Sequence, residues 1–167
     1  MTRRTGMRRT GVRAALLPLA AGLLTLTACG SGTDSGSGTD AEGRSAPKLS
    51  VSGAYMPEPV TDDMAGGFLT VRNTGDSADR LTSVKSAAFG EAQLHTTSKG
   101  QMRHVTSLPV PANGTLRLGR GGNHIMFLKP ERKPVKGEKV RVTLHFSKSG
   151  HVTVSMPVKA TNFVPEK

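Results

Sequence analysis

Apolar and polar residues alternate with a period of two through most of the chain beyond residue 47. The runs 49–55 (LSVSGAY), 67–72 (GFLTVR), 115–118 (TLRL), 140–146 (VRVTLHF) and 151–156 (HVTVSM) put every second side chain on one face. That is the pattern of strands with one face on a core and the other in water. Turn-forming residues punctuate the runs: Asn73-Thr74-Gly75, Ser98-Lys99-Gly100, Asn113-Gly114, Gly121-Gly122 and Ser149-Gly150. No useful length of chain carries a helical period, and no repeat is visible. Short strands at this spacing predict an all-β antiparallel sandwich or Greek-key barrel over residues 47–160. With no Trp and one Tyr, its core must rest on Val, Leu, Ile and five Phe.

The beginning of the chain reads differently. Arg3, Arg4, Arg8, Arg9 and Arg13 precede a largely apolar run over residues 14–26. That run is shorter than the roughly 20 residues a membrane helix needs, and it fits a secretory signal. It ends in Leu26-Thr27-Ala28-Cys29, which resembles a bacterial lipobox, so residues 1–28 are expected to be a lipoprotein signal peptide and Cys29 the lipidated residue. Residues 29–46 are mostly Gly, Ser, Thr and Asp, a flexible tether whose reach is roughly 20–25 Å. The expected location is extracytoplasmic, lipid-anchored to the outer face of the cell membrane, with residues 161–167 as a short tail. The anchor is then the one membrane contact expected.

Composition removes several function classes. Of the formal charge of +11, five units lie before Cys29, which leaves +6 for the remainder. Lys129, Arg132, Lys133, Lys136, Lys139 and Arg141 make a basic stretch without stacking aromatics, so nucleic acid is not an expected partner. A solvated face is its ordinary role, and attraction to an anionic surface its alternative. Cys29 is the only cysteine, so a blue-copper electron-transfer centre, which needs a thiolate, is not expected. No nucleophile–base arrangement or paired acids stand out, and no enzymatic activity is expected. Nothing calls for a second copy, and a monomer is the expectation.

The remaining chemistry is concentrated in His95, Met102, His124 and Met126. Thioether sulfur is a poor ligand for zinc, magnesium or calcium and a good one for Cu(I), so a His/Met set without thiolate narrows the metal sharply. His124 and Met126 are two apart on an expected strand and share a face, with Ile125 on the other. If Ser98 and Lys99 are the central residues of the turn, His95 falls directly opposite Met102. His104 is two residues beyond Met102 and is a candidate auxiliary ligand. Met56 and Met64, near the early loop, are candidates for a weaker second site. Met156 alternates with valines and reads as core.

The spacing Met102-x21-His124-x-Met126 resembles the signature of PCu(A)C-type extracytoplasmic copper chaperones, His-x10-Met-x21-His-x-Met. Residues 51–55, 67–75 and 79–81 look like that family's opening strands, and 111–114 with 121–126 look like its central signature. The chain departs in one place: six residues separate His95 from Met102 instead of ten, which shortens the hairpin but keeps strand parity. The resemblance implies a cupredoxin-like β fold that holds Cu(I) through His95, Met102, His124 and Met126. It also implies delivery to the copper-site subunit of cytochrome c oxidase, alone or alongside a Sco-type thiol protein. A copper-buffering or resistance lipoprotein, and a metal-free lipoprotein that binds the cell envelope, are the competing expectations.

Overall fold

The computed structural model describes residues 45–165. The expected signal peptide, Cys29 and most of the tether lie outside the described residues. Ser45, assigned to the tether by the sequence, is tied to the domain: its hydroxyl donates to the Asp76 carboxylate at 2.8 Å and accepts from the Asp76 amide at 3.1 Å.

Among the described residues the structure is all β, in ten strands with no helix. They are β1 (Leu49–Pro57), β2 (Met64–Asn73), β3 (Asp79–Lys85), β4 (Phe89–Ser98), β5 (Gln101–Val105), β6 (Leu108–Val110), β7 (Thr115–Leu118), β8 (His124–Pro130), β9 (Lys139–Phe146) and β10 (Gly150–Lys159). The hydrogen-bonded order is β5-β4-β8-β2-β1-β10-β9-β3-β6, with β7 on β2. All pairings are antiparallel except β1 with β10. The sheet does not close, so the fold is a sandwich rather than a complete barrel.

The alternation seen in the sequence decides what is buried. Leu69, Val71, Leu94, Ile125 and Phe127 face Val142, Leu144, Met156, Val158 and Leu81, all 3% exposed or less. Burial of each such side chain contributes about 1.5–3 kcal/mol. Phe127 and Met156 meet over Gly67, where a Cβ would come within 2.6 Å of the Phe127 ring. Met156 is core, as its pattern indicates. So is Met56, fully buried and paired with Val158 on β10, which corrects its candidacy for a metal site.

Two buried polar side chains fasten the loops. The Asn73 amide nitrogen donates to the carbonyls of Ser77 (2.8 Å) and Pro111 (3.1 Å), while its oxygen accepts from the amides of Lys48 and Gly75 at 3.0 Å each. The Asp79 carboxylate accepts from the Arg80, Lys148 and Ser149 amides and from the Ser147 and Ser149 hydroxyls, at 2.6–3.0 Å. Burial alone would raise the Asp79 pKa, but these hydrogen bonds, led by Ser149, outweigh it and hold the carboxyl below its ordinary value.

β7 and β8 behave as one interrupted strand along β2. Arg72 to Leu69 pair with β7, Gly67 to Met64 pair with β8, and residues 119–123 loop out between them. That loop sets where β8 begins, and therefore where His124 stands.

Candidate metal centre

The four sequence-predicted donors come from three adjacent strands, β5, β4 and β8, on the side of the sheet away from the core. On β8, Ile125 and Phe127 point inward, so His124 and Met126 share the other face. On β4, inward Leu94 puts Gln93, His95 and Thr97 on that same face. His95 pairs directly with His124, and their rings are 5.6 Å apart.

The β4–β5 hairpin corrects one expectation. Its turn is centred on Lys99 and Gly100, both with positive φ (50° and 76°), and Ser98 pairs with Gln101. A two-residue hairpin turn whose twist matches the strands needs positive φ at both central positions, and Gly100 adopts it freely where Ser98 would not. The register therefore moves by two residues. Thr97, not His95, stands opposite Met102, and His95 stands opposite His104 with ring centroids 5.8 Å apart. A shift of two preserves the face, so Met102 and His104 still share the side of His95.

An open cleft of about 580 Å³ covers this face. Met102, His124, Met126 and also Met64 line it, together with Phe68 and the segment Pro57–Thr61. Its far wall is fastened: Thr161 donates to the Glu58 carbonyl at 3.0 Å, and Lys133 reaches the Val60 carbonyl at 3.2 Å and the Asp62 carboxylate at 3.0 Å. Arg120 stacks over Phe68 and donates to the Thr161 carbonyl at 2.8 Å. Part of the basic stretch thus serves the fold, since Arg132 also pairs with Glu138 at 2.7 Å.

Hydrogen bonds set which ring nitrogen of each inner histidine is engaged by the protein. His124 Nδ1 lies 2.9 Å from the Gly122 carbonyl, which can only accept, so Nδ1 carries the proton and Nε2 keeps its lone pair. Gly122 also accepts from the Thr97 amide at 3.1 Å, which stitches the loop to β4. Along β4, the Gln93 amide nitrogen donates to Glu91 at 2.6 Å, and this orients the amide oxygen towards His95 Nε2 at 2.8 Å. His95 therefore donates from Nε2 and keeps its lone pair on Nδ1. Burial first, then the neighbouring His124 and His104, lower the His95 pKa and favour the neutral ring.

Those two lone-pair nitrogens, His95 Nδ1 and His124 Nε2, are the buried side-chain polar atoms left without a hydrogen-bond partner among the described residues. An orphaned buried acceptor costs about 1–3 kcal/mol, and a ligand that satisfies it recovers that cost. Outer partners that fix the tautomer and leave one nitrogen free are what metal-binding histidines use. Among the described residues no three His, Cys, Asp or Glu side chains converge to hold a metal.

The sequence did not point to Glu91, Gln93 or the Gly122 carbonyl. Period-two spacing of polar residues ahead of His95 was the available sign for the first two. His145 and His151 pair with each other across β9 and β10.

The all-β, cupredoxin-like fold is that of PCuAC domains. The chain belongs to the family described as "Putative lipoprotein LpqE-like", whose model matches residues 49–158. A relative from Leifsonia xyli subsp. xyli, "Putative lipoprotein Lxx21020", is 30% identical over 164 residues, 95% of this chain and 93% of that protein. Among solved structures, the copper-bound PCuAC domain from PmoF2 is 25% identical with a TM-score of 0.61, covering 70% of this chain and 97% of that one. The solution structure of CuI-DR1885 from Deinococcus radiodurans is 28% identical with a TM-score of 0.57, covering 66% and 77%.

Proposed function

We propose that this protein is an extracytoplasmic copper chaperone, lipid-anchored through Cys29. It holds Cu(I) between His95 Nδ1, His124 Nε2 and the sulfurs of Met102 and Met126. The observation that carries the reading is the pair of orphaned imidazole nitrogens on the face that also presents the two thioethers. Likeness to the copper-bound PmoF2 domain and to CuI-DR1885 supports the choice of metal. Four neutral donors leave bound Cu(I) with a single positive charge, and soft sulfur favours that oxidation state over Cu(II).

The cleft gives the mechanism its direction. Met102 is half exposed while His124 is only 7% exposed, so an acceptor's ligands meet the thioether before the imidazoles. Copper is cargo, passed by exchange: each bond to an incoming thiolate or thioether forms as one to Met102, Met126 or a histidine breaks. The acceptor is the copper-site subunit of cytochrome c oxidase, alone or alongside a Sco-type protein.

The test loads the purified protein with Cu(I) under reducing conditions and mixes it with the apo copper domain of the oxidase. The expected result is one copper bound tightly and then transferred, with Met102→Ala plus Met126→Ala lowering affinity by more than about 100-fold, beyond the usual effect of an outer-shell change. Several coppers bound and none transferred would replace this reading with that of a buffer.

A further inference from the structure

Met64 lies outside the four-donor set, yet the fold brings it to the same cleft. On β2, Met64 pairs with Leu128 and Gly66 pairs with Met126, so Met64 is a diagonal neighbour of Met126. Ala65 is buried in the core at 3% exposure, so Met64 and Gly66 share the outer face with Met126. Such diagonal positions have Cα atoms about 7–8 Å apart, within reach of long side chains. Gly66, directly opposite Met126, has no side chain of its own, and the tip of the Phe68 ring lies 3.4 Å from where its Cβ would stand. Met64 is 41% exposed and lines the cleft, so its sulfur is accessible from the cleft side. Methionine is also unbranched and soft, able to swing towards an ion without disturbing its strand.

We infer that Met64 is a third thioether, which together with Met126 forms a weaker Cu(I) position on the route between the His/Met site and the cleft mouth. This rests on the proposed function. In the step it describes, a bond from Met64 sulfur to copper forms while one imidazole bond breaks. Copper stays Cu(I), the imidazole leaves neutral, and no proton or electron moves. Met126 stays bound throughout, so the ion is never released to water. Met102, two residues from the turn on β5, lies on the opposite side of His124 and is free to remain or leave.

The full chain labelled at its methionine methyl carbons and titrated with Cu(I) under reducing conditions tests this by NMR. The first equivalent should move the Met102 and Met126 methyl signals, and a second should move Met64 and move Met126 again. Met56 and Met156, sealed in the core, serve as internal controls. Met64→Leu should slow copper withdrawal by a competing chelator by about tenfold. A Met64 methyl that stays still through two equivalents, or a Met64→Leu protein that gives up copper at the parent rate, overturns the inference and leaves the four-donor reading standing. Met102 and Met126 signals that ignore the first equivalent bring down both.

Discussion

Asp79 and Asn73 sit as deep in this domain as His124, yet the two regions treat their buried polar atoms in opposite ways. Around Asp79 and Asn73 the loops fold inward until carboxylate and amide are surrounded by partners. Around His95 and His124 one nitrogen of each ring is tied down and the other is left bare. The first arrangement stabilises the fold. The second costs stability in the free protein and gives it two preoriented lone pairs. A buried polar group built for structure is thereby distinguished from one built for a ligand.

The comparison breaks first at Asp79. Asp79→Ala strands several backbone amides and is expected to lower stability by about 3 kcal/mol in denaturant unfolding. The same variant should bind Cu(I) normally while folded. Next comes the outer shell of the His/Met face. Gln93→Leu removes the acceptor that fixes the His95 tautomer, and Cu(I) affinity in a chelator competition should fall about 10-fold with no loss of thermal stability.

A smaller effect of opposite sign sharpens the contrast. His124→Leu removes an orphaned nitrogen and should raise the stability of the copper-free protein by about 1 kcal/mol while abolishing high-affinity binding. A clear drop in melting temperature would mean that His124 is structural after all. The smallest effect is in pH. The folded His95 pKa is below its ordinary 6.5, so the ring stays neutral, and available to a metal, as pH falls past that value. Protons then compete for His95 only at lower pH, and Cu(I) affinity should hold as pH falls from 8 past 6.5 and weaken only further down.

Much of this was legible in the sequence, because period-two alternation fixes faces as well as strands. Ile125 in the core with His124 and Met126 opposite follows from spacing alone. The hairpin register does not. It depends on which two residues take positive φ, and the choice of Lys99-Gly100 over Ser98-Lys99 moved Met102 from His95 to Thr97. Met56 looked like a loop methionine because β1 runs on to Pro57 and pairs in parallel with β10, a long-range contact that local pattern cannot reveal. Glu91 and Gln93 were hidden for another reason. Their role exists only through the orientation of the His95 ring, and polar residues on an outer strand face are common.

The most direct test of the central claim is X-ray absorption at the copper edge of the Cu(I)-loaded protein. It is expected to show two sulfur neighbours and two nitrogen neighbours, with both sulfurs lost in Met102→Ala plus Met126→Ala. A first shell of nitrogen or oxygen alone in the parent protein would contradict it.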